Sequence, residues 1–220
     1  MGVICGVGEM IDFDHLVLWL SPRKVMGSWL PDLSRYKNNG RIYGAELRHG
    51  AMWFDGVNAY INCGNSTTLD TPNAITVEIW LYPLPGTPKW AGYISKLKAG
   101  DYAGWAIQRA KIDTEIRWFG FGDNSNDLRG TVQLYAWNFI AGTWDGDEMQ
   151  LYVNCVLQGT LSTTGNIATN TEQLHIGKLN YTTSGYNAKC FIGDIMVYSV
   201  ARTAEQIRID ASLTSPYGTR

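Results

Sequence analysis

The chain has 220 residues, with 18 Lys and Arg against 20 Asp and Glu, and a formal net charge of −2. The absence of a Lys/Arg run argues against nucleic acid as a partner, and the apolar run LVLWL at 16–20 is far shorter than the roughly 20 residues that a membrane span needs. With 45% hydrophobic residues, 9 Trp and 24 Gly, the composition favours an aromatic-rich β architecture.

The first predicted strand is LVLWL, a short apolar run that ends before Ser21 and Pro22. Residues 31–40 are rich in turn formers and predict a loop. Further β-branched and aromatic runs, separated by turn signals, predict a series of short strands. These runs lie at 51–54, 59–64, 74–82, 92–96, 104–108, 115–119, 173–177 and 190–198. Short strands spaced in this way predict a sandwich or a barrel.

Residues 137–159, WNFIAGTWDGDEMQLYVNCVLQG, predict a three-strand meander. Alternating apolar residues flank Asp145-Gly146, and such a pair supplies the backbone angles of a tight hairpin turn. A second turn is predicted at Asn154-Cys155. After the last strand, Thr203 and Gln206 form a capping box, so we expect one short C-terminal helix.

The order of eight segments resembles the laminin G-like, concanavalin A-like jelly-roll domain. The segments are LVLWL, DLSRYKNNGRIYGA, MWFDGVNAYINCGN, AITVEIWLYP, YISK, WNFIAGTWDGDEMQLYVN, LHIGK and FIGDIMVYSVARTAEQI. This resemblance implies an all-β, two-sheet antiparallel jelly-roll sandwich over residues 15–212. Residues 1–14 and 213–220 are then tails outside the domain. Where family members usually carry Asn-Gly, this chain has Asn154-Cys155, which puts a thiol at a position suited to a positive backbone angle.

Jelly rolls of this class include glycoside hydrolases with carboxylates at alternate positions of one strand. The required E-x-D-x-E spacing is absent from this sequence. We interpret the acidic groups Asp12/Asp14, Asp123/Asp127 and Asp145/Asp147/Glu148 as solvated loop charge. His15, His49 and His175 are isolated from any nucleophile motif. We therefore predict that the chain is not an enzyme.

The resemblance also implies a possible calcium ion, since many laminin G-like domains hold one. Asp55, Asn58 and Asp194 are the candidate oxygen ligands. The alternative is that Asp55 bonds only to its own turn. The four cysteines, Cys5, Cys63, Cys155 and Cys190, lack zinc-site spacing and are expected to be buried or free thiols, with a Cys63–Cys190 disulfide left as an alternative.

Aromatic residues between positions 83 and 190 are candidate platforms for sugar rings or protein partners. The proposed ligand-binding residues are Trp90, Tyr93, Trp105, Trp118 and Tyr186. Tyr102 and Phe119 lie in the same region. Trp80, Trp137 and Trp144 are expected to be core.

Two functions fit these features. The first is a structural subunit of a larger assembly, such as a virion decoration, spike or fibre, that self-associates or binds other subunits and has host glycans as a further ligand. The second is a lectin-like module of a secreted or cell-surface protein that recognises a glycan or a protein surface. The N-terminal sequence lacks the features of a secretory signal, and we expect a virion surface or another extracellular assembly. Residues 2–7 are apolar enough to dock on a neighbour, and the alternative is that both termini are disordered.

Overall fold

The computed structural model describes residues 11–163, 167, 169–179 and 186–216. Within these ranges the chain forms sixteen β-strands and one α-helix. The strands are β1 (Leu16–Leu20), β2 (Trp29–Leu30), β3 (Gly40–Tyr43), β4 (Glu46–Arg48), β5 (Ala51–Asp55), β6 (Tyr60–Asn62), β7 (Ile75–Pro83), β8 (Gly92–Leu97), β9 (Gly104–Arg109), β10 (Glu115–Gly120), β11 (Asp123–Thr131), β12 (Asn138–Trp144), β13 (Glu148–Val153), β14 (Val156–Ser162), β15 (His175–Ile176) and β16 (Lys189–Tyr198). The helix is α1 (Ala204–Thr214).

The strands form two antiparallel sheets. The first sheet has the order β14-β13-β12-β7-β16-β5-β4, with β1 also paired to β16, and the second has the order β11-β10-β9-β8-β15-β6-β3-β2. The predicted all-β, two-sheet jelly-roll sandwich with one short C-terminal helix is confirmed. Because successive side chains of a strand point to opposite faces, each sheet turns one face inward and one outward.

The main core lies between the two inner faces. In β7 the alternate residues Val77, Ile79 and Leu81 point into it, and Trp105 and Trp118 enter it from the second sheet. The Trp118 indole nitrogen donates to the Thr143 carbonyl of the first sheet at 3.1 Å. Gly142 lies beneath this ring, where a Cβ would come within 2.5 Å of Trp118 Cδ2. This close approach explains why a glycine lies in the middle of β12.

The predicted meander is present as β12, β13 and β14. Its second turn has Asn154 at φ 51° and Cys155 at φ 62°. Both residues therefore adopt the left-handed conformation that a two-residue hairpin loop demands. The thiol occupies the strained position that the sequence indicated.

Helix α1 begins with the predicted capping box. Thr203 Oγ1 accepts from the Gln206 amide at 3.3 Å, and Gln206 Oε1 accepts from the Thr203 amide at 2.9 Å. The helix packs on the outer face of the first sheet, and the Trp80 indole donates to Thr214 Oγ1 at 3.0 Å. It ends at Thr214, two residues beyond the expected boundary at 212; the division into a domain and two tails stays a prediction.

Several expectations need correction. Residues 29–30, 40–43 and 46–48 form the short strands β2, β3 and β4, which the sequence did not predict and which flank the predicted loop at 31–40, overlapping it only at Gly40. Cys63 and Cys190 are buried free thiols in the core, so the alternative of a disulfide between them is wrong. Residues 2–7 and Cys5 lie outside the described residues.

The described part of the chain contains no helix with the length and apolar character of a membrane span.

Candidate functional site

A groove of about 300 Å³ lies on the outer face of the second sheet. Five lining residues have planar polar side chains and four are aromatic, and none of the nine is aliphatic. The lining residues are Trp90, Tyr102, Gln108, Arg117, Phe119, Asn124, Asp127, Arg129 and Tyr186. Aromatic rings with a few converging polar groups are typical of ligand sites.

The pairing of β9, β10 and β11 positions the residues that form the floor of this groove. Arg117 of β10 lies opposite Gln108 of β9 on one side and opposite Arg129 of β11 on the other. In the same way Phe119 lies opposite Asp127. These residues share the outward parity of their strands, so three adjacent strands present one continuous polar surface.

Loops supply three of the four aromatic walls. Trp90 lies between β7 and β8, Tyr102 lies in the β8–β9 turn, and Tyr186 precedes β16. Trp90 has φ 68° and Tyr102 has φ 52°. A bulky residue in the left-handed region costs roughly 1–2 kcal/mol, and such strain is concentrated at functional sites. Two of the groove's rings are therefore held in position against a local backbone preference.

The charges of the groove form one bridged network. Asp127 accepts from Arg117 Nε at 3.1 Å and from Arg129 Nη2 at 2.9 Å. Arg129 Nη1 also lies 3.2 Å from Glu115 Oε2. The Asp127 carboxylate raises the pKa of Arg129 above its ordinary value. Both guanidinium groups are paired with acidic side chains.

Arg117 forms part of the groove wall. Its guanidinium carbon lies 3.7 Å from the centre of the Phe119 ring and 5.4 Å from that of Trp90. Its Nη2 donates to the side-chain oxygen of Asn124 at 3.1 Å. Aromatic faces and polar partners thus fix the arginine in one position.

Gln108 is the one buried lining residue whose polar atom is left unsatisfied among the described residues. Its side chain is 2% exposed, and Oε1 has no hydrogen-bond partner. A buried acceptor without a partner is costly, and native proteins rarely retain one without a reason. Because Gln108 lines the groove, a bound ligand that displaces the side chains covering Oε1 would satisfy this atom.

The five residues proposed from the sequence as ligand-binding divide into two groups. Trp90 and Tyr186 meet in the groove, so their role as a platform stays a prediction with a site to support it. Tyr93, Trp105 and Trp118 are buried in the main core and leave no ring face for a ligand. Trp105 and Trp118 share strand parity with the core residues Ile107 and Ile116, which is the physical reason for this correction.

Residues 123–131 were also misjudged. Asp123 and Asp127 were interpreted as solvated loop charge, yet they belong to strand β11, and Asp127 pairs with two arginines. Gln108, Arg117, Asn124 and Arg129 were missed altogether. Alternation was the available signal, because Arg117 lies between the inward residues Ile116 and Trp118, and Gln108 follows the inward residue Ile107.

The proposed calcium ligands do not come together. Asp55 Oδ1 accepts from the amides of Val57, Asn58 and Ala59 at 2.8–3.0 Å, as the turn-only alternative expects. Asp194 lies five residues beyond Lys189, the strand partner of Asp55, a separation of roughly 16 Å along β16. Its oxygens accept from the Trp19 indole and the Ser21 hydroxyl at 2.9 Å.

Electrostatics agree with this correction. Burial raises the pKa of Asp194 despite the bonds from Trp19 and Ser21, which disfavours the ionised form that calcium needs. Across the described ranges, no three His, Cys, Asp or Glu residues cluster closely enough to hold a metal ion. Asp55, Asn58 and Asp194 therefore do not fit a shared calcium site, and calcium binding stays a prediction without a ligand set.

Among curated proteins, none matches this sequence. Solved structures with a similar fold include the binding domain of Paraclostridial Mosquitocidal Protein 1, with a TM-score of 0.68 at 16% identity over 93% of this chain and 53% of that chain. A structure of botulinum neurotoxin type C, whose cell entry depends on interaction with two ganglioside molecules, has a TM-score of 0.71 at 14% identity over 92% and 52%.

The binding domain of botulinum neurotoxin DC in complex with rat synaptotagmin II has a TM-score of 0.69 at 16% identity, over 92% of this chain and 52% of that chain. This chain therefore spans about half the length of the solved structures that it matches. At these identities the likeness shows a shared fold.

A laminin G-like family model, described as the concanavalin A-like lectin/glucanases superfamily, matches residues 55–208. The match covers more than half of the chain and includes β7 to β16. With the two-sheet sandwich and its strand order, it establishes that the chain belongs to the concanavalin A-like lectin/glucanases superfamily as a laminin G-like domain.

Proposed function

We propose that this chain is a non-catalytic recognition module that binds a glycan in the groove over β9, β10 and β11. The observation that carries this proposal is the unsatisfied Oε1 of buried Gln108, in a groove lined by planar polar and aromatic side chains. Sugar rings offer hydroxyl groups to such polar side chains and C–H faces to such aromatic rings. Two structures of similar fold come from toxins, of which one depends on ganglioside molecules for cell entry and the other is in complex with rat synaptotagmin II. These ligands are of the glycan and protein classes considered for this chain.

The module would act outside the cell, where glycans are displayed. The prediction that the chain is not an enzyme is part of this proposal. It rests on the missing E-x-D-x-E pattern and on the pairing of Asp127 with two arginines, which leaves that carboxylate poorly suited to proton transfer.

The test compares wild-type chain with Trp90→Ala on a glycan array, followed by calorimetric titration of the best ligand. Removing an aromatic wall should weaken binding by roughly tenfold or more. The thermal midpoint should be almost unchanged, because Trp90 lies outside the main core.

Trp53→Ala is the matched control. This tryptophan is half-buried and lies beneath an arginine, with Arg48 5.3 Å from its ring, but it belongs to the first sheet. The Trp53→Ala substitution should leave glycan affinity unchanged. Undiminished binding by Trp90→Ala would overturn the assignment of the groove.

A second candidate function is the structural subunit of a larger assembly, most plausibly on a virion surface. It is supported by the outermost strand of the second sheet, β2, in which Trp29 is 44% exposed, and by Met26, which pairs with Trp29 and is 69% exposed. With Pro31 and Asn39 they line an open cleft of about 390 Å³. An apolar patch beside a sheet edge is a suitable contact for another subunit.

Light scattering on the full chain, with and without a chelator, tests this candidate. We expect a stable oligomer that Trp29→Glu dissociates and that Val57→Glu, at a position 72% exposed elsewhere, does not. A chain lacking residues 1–14 tests the docking segment separately. A monomer under all these conditions would rule out self-association, and a chelator effect would support bound calcium.

A further inference from the structure

We infer that the groove selects a neutral, hydroxyl-bearing sugar over one that carries a carboxylate. This inference rests on the proposed function, since it specifies the chemistry of the ligand at the same site. It follows from three features: the balance of charge in the groove, the kind of atom left unsatisfied, and the fixed position of the arginine that an acidic sugar would need.

The charges of the groove floor are already balanced. Arg117 and Arg129 face Asp127 and Glu115, which gives two positive and two negative groups in contact. Asp127 uses one oxygen for each arginine. A carboxylate on the ligand would have to displace Asp127 or lie close to it, and like charges at short range repel.

Arg117 is not positioned to receive a new anion. Its Nε is bonded to Asp127 and its Nη2 to Asn124, while its plane packs against Phe119. A further positive group is Lys89, whose Nζ lies 4.9 Å from the Trp90 ring centre at the exposed rim. An exposed lysine is strongly hydrated and contributes little to a screened contact.

Gln108 Oε1, by contrast, requires a donor. A carboxylate is acceptor-only when ionised and cannot satisfy this atom, whereas a hydroxyl donates one hydrogen bond and accepts others. A hydroxyl also suits the neighbouring guanidinium and amide groups as an acceptor. The buried, unsatisfied atom and the neutralised arginines therefore favour the same ligand chemistry.

The experiment uses the full chain and two oligosaccharides that are identical except that one ends in galactose and the other carries an added sialic acid. We expect the neutral sugar to bind roughly tenfold more tightly, the effect of about one hydrogen bond to a buried group. Its affinity should change little between low and high salt, because no net charge is neutralised on binding.

Gln108→Leu sharpens the test. It removes an atom that has no partner in the free protein, so it should preserve the thermal midpoint while weakening the neutral sugar by about tenfold. Gln158→Leu, in exposed strand β14, is the matched control and should bind as wild type. The comparison of the two oligosaccharides on wild-type protein stands even if Gln108→Leu fails to fold.

The outcomes separate the two proposals. The inference is overturned if the sialylated sugar binds as tightly as the neutral sugar or more tightly, and if that binding is lost in Trp90→Ala and unchanged in Gln108→Leu. This result would leave the proposed function standing. Binding of neither oligosaccharide, nor of any glycan on the array, overturns the proposed function and the inference with it.

Discussion

The outer faces of the two sheets differ in what covers them. On the first sheet, helix α1 places Ile207 and Ala211 on an apolar patch that contains Trp80, Phe139 and Tyr152. On the second sheet, loops surround β9, β10 and β11 and leave a groove between them. The same alternation of side chains thus produces a covered face in one layer and a candidate binding surface in the other.

Both faces contain an Asp–Arg pair, and its surroundings decide its consequence. Beneath α1, Arg202 donates to both oxygens of Asp210 at 2.8–3.0 Å, and both side chains are buried. In the groove, Asp127 bridges Arg117 and a partly exposed Arg129. The first pair anchors the helix, whereas the second organises a surface that remains accessible.

The largest expected effect is a difference in folding stability between a substitution of Trp105 in the core and one of Trp90 in the groove. Trp105→Ala should lower the free energy of unfolding by about 3–5 kcal/mol, because it removes a fully buried ring and leaves a cavity. Trp90→Ala should cost less than about 1 kcal/mol, as a surface substitution outside the core does. Urea unfolding of both variants measures this difference. Similar losses for the two would contradict the division into core and platform.

Much of this division was present in the sequence. Trp105 alternates with Ala106 and shares its face with Ile107, and Trp118 shares its face with Ile116. Parity therefore assigns both tryptophans to the core. The prediction failed because it grouped aromatic residues by their region of the sequence and did not assign each side chain to the inner or outer face of its strand.

Other features depend on contacts distant in sequence. Trp90, which precedes β8, and Tyr186, which precedes β16, line the same groove although they are 96 positions apart in the sequence. Strand β11, with the sequence DNSNDLRGT, has few residues that favour strands. It pairs with β10, where cross-strand ion pairs compensate for weak propensity. Strand propensity alone could not reveal that pairing.

The next effect is a pH dependence of stability, and it tests whether α1 excludes water from the outer face of the first sheet. Glu78 of β7 is fully buried beside Asp210, whose carboxylate can accept a hydrogen bond from the protonated Glu78 carboxyl. Burial raises the pKa of Glu78 well above its ordinary value of 4.5, and the negative charge of Asp210 raises it further against the opposing Arg202. The folded chain therefore binds this proton more tightly than the unfolded chain.

The stability from protonated Glu78 is fully present below about pH 4.5 and is lost as pH rises towards the folded-state pKa. Glu78→Gln should remove this dependence, whose slope reaches at most about 1.4 kcal/mol per pH unit. The advantage of the variant should therefore grow with pH. Urea unfolding at several pH values from about 5 to 8 measures it.

Other groups titrate in the same range, so the difference between the two proteins is the informative quantity. Burial lowers the pKa of His175 to about 4, helped by Lys178, and its contribution is lost as pH falls below about 6.5. Burial raises the pKa of Asp194, which acts in the same direction as Glu78. Both groups remain in Glu78→Gln. Parallel stability curves would show that water reaches Glu78 and that α1 does not seal this face.

The smallest effect concerns the start of α1. Thr203→Ala removes the hydroxyl that accepts from the Gln206 amide and should lower stability by roughly 1 kcal/mol. Thr203→Ser keeps that acceptor and serves as the control. Because α1 covers only the first sheet, hydrogen exchange should accelerate in the helix while β9 to β11 stay protected and glycan affinity is unchanged. Weaker glycan binding in Thr203→Ala would mean that the two outer faces are coupled through the sandwich, since the helix packs on the first sheet and the groove lies on the second.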